Sequence, residues 1–535
     1  MLYKFKELER QQRINQINQL KNIYSACRHF PSCNNCFDGL NKNAFDGVLK
    51  CCSPTCCSHG KNESNTKLIA EDYENIMARE NERFLDYLKH KSNHPVYHCL
   101  KGKVHRSFHF MGLQRWNSQT PTLTLSQGGG YLLYEQDENG DVILGIAIDP
   151  GFDFVDNLFH MGFTLNDIDF ILLSHAHLDH IRDFEPIISS LLDLHKRNKG
   201  AKKKIHAVMT WGVYDKLKHV ITSPSLREFL ADTYIVDINK DIKPEKKPEG
   251  ISFRFTKDED EKKFTSIISD DHDRSKYIEI KPTYAYHNDF SEISDSYGYI
   301  VDFYGNEGNN NNVGNEPIFS FGYTGDTKWH DSIPESYKGC DGVCIHIGAL
   351  IESENGKKNK FEHYKGPQCD ALIEKKQHPY LFGLLRYLKK IQEHNSVNKN
   401  KLLLISEFGE ELKGSIRIDF IRRLNELLKN GSESPVCLPV DIGLNVVLAS
   451  QIENKESKNK KWEREHKVWC YGCEKFVDRR EVGYRHFSHG NNDEALFYFC
   501  NTCLKSKPEN FFQNKMRLIC EAGLPLEKAF ENRKD

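Results

Sequence analysis

The chain of 535 residues lacks any long uninterrupted hydrophobic run. A helix that crosses a membrane needs about 20 predominantly apolar residues, so we expect no membrane partner. The chain also lacks an excess of charge of either sign, because 74 basic and 76 acidic residues leave a net charge of −2. This balance gives no global argument for binding to nucleic acid.

The N-terminus lacks the features of a secretory signal, since Met1–Glu7 has neither an apolar core nor a small-residue cleavage site. The 17 cysteines are clustered instead of spaced as a disulfide framework, which fits a reducing compartment. We therefore expect a cytoplasmic protein. With 38% hydrophobic and 28% charged residues the composition is that of a soluble globular protein, and the length predicts two or three structural units.

What the chain does have is a dense group of metal-ligating residue types at the end of a predicted strand. The apolar run 171–173 is followed by Ser174 and then by His175, His177, Asp179 and His180. Because a strand alternates its faces, His175 and His177 point the same way. Imidazole and carboxylate suit zinc and similar divalent metals, and four such groups from one turn can serve two ions.

This pattern, His-x-His-x-Asp-His after a hydrophobic strand, resembles the signature of the metallo-β-lactamase fold superfamily. Three further stretches resemble its other motifs in the expected order. Asp149, after the strand 146–148, resembles the aspartate that orients the metal loop. His287 resembles the lone histidine ligand of the third motif. Asp326, within the block 321–327, resembles the aspartate that bridges both metals. The resemblance covers roughly residues 122–448.

The resemblance implies an α/β protein with a four-layer αββα fold. The residues on either side of it predict a helical, cysteine-rich N-terminal extension and a small zinc-binding C-terminal domain. We predict the extension at residues 1–115 and the hydrolase domain at 116–450. A charged linker is predicted at 451–467 and the zinc-knuckle domain at 468–535.

The fifth motif departs from the family pattern. The family's last ligand is usually a histidine at the end of a late strand, but here the strand 402–405 leads to Ser406 and Glu407. Either Glu407 is the seventh ligand and His378 protonates the leaving group, as in the phosphodiesterase branches, or His378 is itself the ligand. We favour the first assignment. His346, which ends the predicted strand 342–346, reaches the site or is a core histidine satisfied by a hydrogen bond, and we favour the core position.

The N-terminal part combines a predicted amphipathic helix with a cysteine cluster. Apolar residues at a spacing of about three over residues 2–23 predict the helix, which packs on the body or mediates contact with a second subunit or another protein. Cys33 and Cys36 have the spacing of a zinc knuckle, and Cys52 with Cys56 can complete four thiolates. Free thiols in a loop explain the cluster equally well.

The C-terminal part carries a stronger zinc signal. Cys470-x-x-Cys473 and Cys500-x-x-Cys503 are two knuckles separated by a few dozen residues, which is typical of a structural zinc site. Basic residues between and after them suit a phosphate backbone or RNA bases. A zinc-stapled accessory domain that only packs or dimerises explains the same residues.

The resemblance implies a dinuclear hydrolase. His175, His177 and His287 would hold one metal, Asp179, His180 and Glu407 would hold the other, and Asp326 would bridge them. The ions are Zn²⁺, with Mn²⁺ or iron as alternatives. Two such ions turn a bridging water into hydroxide near neutral pH, with Asp179 accepting a proton and His378 donating one to the departing oxygen.

The substrate is the least determined part of this prediction. The block 324–327, the position of His378 and the zinc knuckles favour a phosphodiesterase or nuclease acting on RNA, DNA or a nucleotide. A lactonase or thioesterase would use the same metals with a different substrate slot. A non-catalytic scaffold for partners is disfavoured because residues 175–180 and Asp326 are all intact.

Overall fold

The computed structural model describes fourteen stretches of the chain. They are residues 106–115, 128–198, 202–236, 250–258, 261–267, 277–287, 296–304, 316–348, 380–393, 401–408, 415–428, 435–453, 460–489 and 493–522. All of them belong to one compact unit, His90–Asp535. The predicted N-terminal helix, the cysteines of residues 27–57 and His378 lie outside the described residues.

The described residues form nineteen strands and nine α-helices. The strands are β1 (Ser107–Gly112), β2 (Tyr131–Gln136), β3 (Val142–Ile148), β4 (Phe170–Leu173), β5 (Ile205–Thr210), β6 (Leu230–Val236), β7 (Ile251–Asp258), β8 (Glu261–Ile267), β9 (Ile278–Ala285), β10 (Ser296–Phe303), β11 (Phe319–Tyr323), β12 (Gly342–His346), β13 (Leu402–Ser406), β14 (Val436–Pro439), β15 (Asn445–Glu453), β16 (Lys460–Cys470), β17 (Lys475–Asp478), β18 (Val482–His489) and β19 (Asp493–Cys500). The helices are α1 (Phe154–His160), α2 (Leu178–Ile181), α3 (Phe184–Asn198), α4 (Trp211–Ile221), α5 (Ile333–Tyr337), α6 (Tyr380–Glu393), α7 (Ser415–Leu427), α8 (Asn501–Ser506) and α9 (Glu509–Ala522).

Two large mixed sheets contain most of the strands. The first has nine strands in the order β17-β16-β15-β1-β2-β3-β4-β5-β6, and its strands from β3 to β6 are parallel. The second has eight strands in the order β14-β13-β12-β11-β10-β9-β7-β8, with β11 to β14 parallel. The hairpin β18–β19 is a separate two-stranded sheet. Parallel strands need crossover helices, which α3 and α4 provide in the first sheet and α6 and α7 in the second.

The main core lies between the two sheets. Aromatic rings cross it in pairs: Phe110 and Phe321 have ring centroids 5.4 Å apart, and those of Phe170 and Phe253 are 4.7 Å apart. Because successive side chains of a strand point to opposite faces of its sheet, a second core forms on the outer face of the second sheet. Leu404 of β13 belongs to the main core, whereas the neighbouring residues of the same strand pack against α6 and α7. The architecture is therefore the predicted four-layer αββα fold.

Two strands of the first sheet pair across the predicted domain boundaries. β1 falls within the range assigned to the N-terminal extension, yet it pairs with β2 and β15 in the middle of the first sheet. Residues 460–467, predicted as part of a linker, belong to β16, which pairs with β15 from Val446 opposite Val468 to Glu453 opposite Lys460. The charge that suggested a linker lies on a partly solvated strand, where Arg464 forms an ion pair with Asp341.

Candidate metal centre

The predicted metal loop lies at the carboxyl ends of neighbouring parallel strands. β3 ends at Ile148 and β4 at Leu173, so Asp149 and Ser174 start adjacent loops at one edge of the first sheet. His175 and His177 follow Ser174 without regular structure, and His180 lies in the short helix α2. Strand β4, which precedes this loop, is fully buried. Its packing in the core therefore fixes the position of the histidines.

Asp149 fixes the loop from behind. Its backbone has a positive φ of 46°, and its buried carboxylate accepts hydrogen bonds from the Ser174 amide at 2.7 Å and from the His180 Nδ1 at 2.8 Å. The Tyr323 hydroxyl, from β11, donates to the same carboxylate at 2.5 Å. Because Nδ1 of His180 is held in this way, its Nε2 faces the centre of the site, which is the arrangement that orients a metal-ligating histidine.

The histidine and carboxylate side chains of the site converge in two neighbouring groups. In each group, ligand atoms lie within 4.8 Å of one another. The first group is His175, His177, His287 and Asp326, and the second is Asp179, His180 and Glu407. Asp326 lies between them, because its Oδ2 is 3.7 Å from Nε2 of His175 and 3.5 Å from Nε2 of His180.

Several buried atoms at this point make no hydrogen bond in the described part of the chain. They are Nε2 of His175, Nε2 of His180, Oδ2 of Asp179 and Oε2 of Glu407. A buried polar atom without a partner costs roughly 1–3 kcal/mol, so four of them in one place require an explanation. Atoms of these types are ligands for divalent metal ions, and the donor set therefore fits two such ions.

Burial sets the protonation states of the site in the absence of metal. Burial lowers the pKa of His175 and, with the neighbouring His287, lowers that of His177 to about 3, so both rings are neutral. Burial, reinforced by the negative charges of Glu407 and Asp326, raises the pKa of Asp179 to about 7. His180 differs: it is buried, but the nearby charges of Asp179 and Asp326 raise its pKa well above the ordinary value. The carboxylates of the site therefore favour positive charge close to them, and a bound cation would supply it.

Glu407 is at the site, as the favoured sequence assignment requires. It follows β13, has a positive φ of 51° and is 1% exposed. Its Oε1 accepts a hydrogen bond from Nε2 of Gln114 at 3.1 Å and lies 3.5 Å from Nε2 of His180. Its role as a ligand remains a prediction, and so does the role of His378, which lies outside the described residues.

His346 lies at the site and is also satisfied by hydrogen bonds, so the two sequence interpretations are both partly right. Its ring is buried, and Nδ1 is 2.9 Å from Oδ1 of Asp326 and 3.4 Å from Oε2 of Glu407. Its Nε2 is 2.7 Å from the Tyr131 hydroxyl, which in turn contacts Ser406. Sequence reasoning missed Tyr131 and Gln114, because nothing in their local sequence marks a contact with a strand more than 200 residues away.

Two loops of the second sheet are tied together around the site. The Tyr286 amide donates to the Thr327 side chain at 3.0 Å, and the Lys328 amide donates to the Tyr286 carbonyl at 2.8 Å. His287 and Asp326 are therefore fixed relative to each other by main-chain contacts, independently of any bound ion.

The four C-terminal cysteines form a separate cluster. All four Sγ atoms lie within 4.8 Å of one another, with 3.9 Å between Cys470 and Cys503 and 4.0 Å between Cys473 and Cys500. Tetrahedral zinc with bonds of about 2.3 Å separates its sulfurs by about 3.8 Å. Backbone amides of Cys500 and Cys503 donate to Sγ of Cys470 and Cys500, at 3.1 and 3.4 Å. The donor set fits one zinc ion.

Comparison with known proteins agrees with this arrangement. Residues 145–371 match the model of a β-lactamase superfamily domain. Over this range the chain is similar to that superfamily, and its two-sheet architecture agrees with the match. Proteins with this fold are typically metal-dependent hydrolases. The matched range includes the metal loop, His287 and Asp326, and it ends before Glu407 and the cysteine cluster. The comparison with curated proteins gives no match.

Solved structures similar to the chain are distant in sequence. The metallo-β-lactamase fold protein YhfI from Bacillus subtilis is 12% identical over 63% of this chain and 98% of its own, with a TM-score of 0.37. A long form RNase Z from yeast is 15% identical over 64% of this chain and 42% of its own, with a TM-score of 0.38. The short form of human tRNase Z is 12% identical over 57% of this chain and 94% of its own, with a TM-score of 0.34.

No helix among the described residues is long and apolar enough to cross a membrane.

Proposed function

We propose that this protein is a metal-dependent hydrolase and that its substrate is a phosphodiester. The observation that carries the proposal is the convergence of seven histidine and carboxylate side chains, several with buried ligand atoms that make no hydrogen bond. A packed core does not tolerate such a group without a ligand, because each unsatisfied atom destabilises the fold.

Each residue has a separate task in this proposal. His175, His177 and His287 would hold one divalent ion, and Asp179, His180 and Glu407 would hold a second. Asp326 lies beside both groups and could serve either ion. Bound divalent metal makes water acidic enough to serve as a nucleophile near neutral pH. Oδ2 of Asp179, which is buried and makes no hydrogen bond to any described residue, would accept the proton of the attacking water. His378 protonates the departing oxygen, by resemblance to the phosphodiesterase branches.

The substrate class is supported by the residues around Asp326 and by charge. The block 324–327 resembles that of the ribonuclease Z-like branches. Two divalent ions also carry more positive charge than Asp179, Asp326 and Glu407 neutralise, and a site with a positive excess favours an anionic group. Lactones and thioesters carry no such charge at the reacting centre.

A substrate panel tests the proposal. The purified full-length protein, with its metal content measured, would be assayed on bis(p-nitrophenyl) phosphate, RNA, DNA, cyclic nucleotides, lactones and thioesters. We expect hydrolysis of at least one phosphodiester and expect Asp179→Ala to abolish it, because this change removes a ligand and a proton acceptor together. Asp193→Ala is the matched control, since that carboxylate is 61% exposed on α3.

The panel also separates the alternatives. Turnover of lactones or thioesters without phosphodiesters would replace the substrate class but keep the hydrolase. A metal-loaded protein inactive on every substrate would favour a non-catalytic scaffold. Circular dichroism of Asp179→Ala shows whether lost activity reflects the site or the fold.

A further inference from the structure

The cysteine cluster brings the end of β16 together with the C-terminal hairpin and its helix. Cys470 ends β16 in the first sheet, and Cys473 lies in the turn that follows. Cys500 ends β19 and Cys503 lies in α8, so both belong to the C-terminal hairpin and its helix. An ion held by all four sulfurs fastens this C-terminal hairpin to the edge of the first sheet.

The fastened region packs on the connection between β14 and β15. The Tyr471 hydroxyl donates to the Gly443 carbonyl at 2.7 Å, and the Tyr498 hydroxyl donates to the Pro439 carbonyl at 2.7 Å. Both tyrosines are buried. Gly443 has a φ of +93°, and a Cβ there would lie 2.6 Å from the Tyr471 hydroxyl, so this contact admits no side chain.

Asp441 is the junction between this connection and the rest of the molecule. Its fully buried carboxylate accepts a hydrogen bond from the Leu496 amide of β19 at 3.1 Å. The same carboxylate forms ion pairs with Arg115 at 3.0 Å and with Arg417 at 2.8 Å. Arg417 also donates to the Arg115 carbonyl at 3.0 Å. Because Arg115, Arg417 and Leu496 all contact the same buried carboxylate, moving one of them disturbs the others.

The network ends at the second metal group. Gln114, next to Arg115, donates to Oε1 of Glu407 at 3.1 Å. The guanidinium of Arg417 lies 5.5 Å from the ring centre of Phe408, which follows Glu407 in the chain. Glu407 therefore accepts a hydrogen bond from the residue that precedes Arg115, and Arg115 is the residue that pairs with Asp441. Phe408, the next residue after Glu407, lies against Arg417, the other cation paired with Asp441.

We propose that zinc bound by Cys470, Cys473, Cys500 and Cys503 positions Glu407 through Asp441 and Gln114, so that the two metal centres are coupled. This proposal rests on the active-site metals of the proposed function. Asp441 and Gln114 are positioning residues in it. The affinity for the ion held by Asp179, His180 and Glu407 depends on the network, whereas the ion held by His175, His177 and His287 does not.

Cobalt substitution tests the coupling, because thiolate-bound cobalt gives an intense charge-transfer band that a histidine and carboxylate site lacks. The full-length protein would be loaded with cobalt and titrated with a graded chelator. We expect Cys500→Ser to lose the charge-transfer band and to weaken the second active-site ion by about tenfold or more. Asp441→Asn and Gln114→Leu should keep the band and weaken the same ion, with the first active-site ion unchanged.

Cys437→Ala is the matched control, because Cys437 is a buried free thiol in β14 that does not belong to the cluster. It should retain the band and all affinities. Should Cys500→Ser fail to fold, the wild-type protein gives the same answer, since coupling is reciprocal. Loading of the active site should then slow the removal of zinc from the cysteines by a thiol reagent.

Two results would overturn the coupling: folded wild-type protein without a thiolate band, or second-ion affinity in Asp441→Asn within twofold of wild type. A wild-type protein that shows the thiolate band but binds no active-site ion would instead overturn the proposed function, and with it the coupling, while leaving the cysteine site in place.

Discussion

At the scale of single residues, Glu407 is the most unusual part of the site. A carboxylate stands where the family's resemblance implies an imidazole, and the backbone turns with a φ of 51° to bring it there. A carboxylate is shorter than a histidine ring and carries charge, so it needs neighbours that hold it. Gln114 and His346 do so at 3.1 and 3.4 Å. The departure is therefore accommodated by residues from three distant parts of the chain.

The first prediction concerns this ligand. Glu407→Ala should lower the occupancy of the second ion, because it leaves only Asp179, His180 and the shared Asp326. Glu407→His should restore occupancy, since imidazole is an equivalent ligand. Elemental analysis after dialysis against a weak chelator measures both, with the exposed Glu228→Ala as control. Two ions retained in Glu407→Ala would show that Glu407 is not a ligand.

The second prediction concerns His378. If it is the proton donor, His378→Ala should keep both ions and slow hydrolysis of a substrate with a poor leaving group by about a hundred- to ten-thousand-fold. The loss should shrink for nitrophenolate, which needs little protonation. Loss of an ion in His378→Ala, with both ions kept in Glu407→Ala, would reverse the assignments of the two residues.

At the scale of elements, the sequence predicts a site well where an apolar strand is followed directly by a loop rich in metal-ligating residues. The β4 strand is apolar and its loop is dense in ligands, so local sequence was enough to identify His175, His177, Asp179 and His180 as a group. Strand β16 shows the opposite case. Six of its eight residues from 460 to 467 are charged, and this composition alone made the stretch resemble a linker. Its partner β15 decides the structure, and pairing of this kind depends on register that composition does not contain.

The third prediction follows from β16. A chain ending at Glu453 should lose cooperative unfolding, because β15 loses its neighbour and Asp441 loses the Leu496 amide. Each large apolar side chain withdrawn from burial costs roughly 1.5–3 kcal/mol, and several lie between residues 468 and 516. Their sum exceeds the usual stability of about 5–15 kcal/mol. Calorimetry would compare the chain ending at Glu453 with a chain ending at Ala522. A cooperative transition in the shorter chain would support the sequence prediction that residues 451–467 are a linker.

At the scale of the whole molecule, buried neutral histidines should make stability depend on pH. Burial lowers the pKa of His109 to about 4, although its hydrogen bond with Asn445 opposes the shift. Burial, with the charge of Arg479, lowers the pKa of His466 to about 3. Between these values and the ordinary pKa of about 6.5, the unfolded chain binds more protons than the folded one. The stabilising contribution of these two histidines is therefore complete above pH 6.5 and falls as the medium becomes more acidic.

The fourth prediction puts a size on this effect. His109 should contribute a loss of roughly 2–3 kcal/mol in the free energy of unfolding between pH 7 and pH 4.5. Urea unfolding of the wild type and of His109→Gln would measure it, since both share the same metal sites. The variant should show the smaller pH dependence. Equal slopes for the two proteins would mean that His109 is not held neutral in the folded state.

The long-range contacts also limit what sequence can predict of the molecule as a whole. The order of motifs was enough for the αββα fold and for most of the site, because each motif is local. Gln114 and Glu407, however, are 293 positions apart and meet only after both sheets have formed. The same holds for Asp441 and Leu496. Residues that support a site through such contacts carry no local pattern.

The most direct test of the central claim is a metal titration of the apoprotein with hydrolysis of bis(p-nitrophenyl) phosphate measured at each step. We predict that the apoprotein is inactive and that activity rises as metal fills the histidine and carboxylate site. The one zinc ion per chain that binds the four cysteines should add no activity. Asp326→Ala, which removes the carboxylate common to both groups, should stay inactive at every metal concentration. Full activity in the metal-free protein, or in Asp326→Ala, would contradict the account.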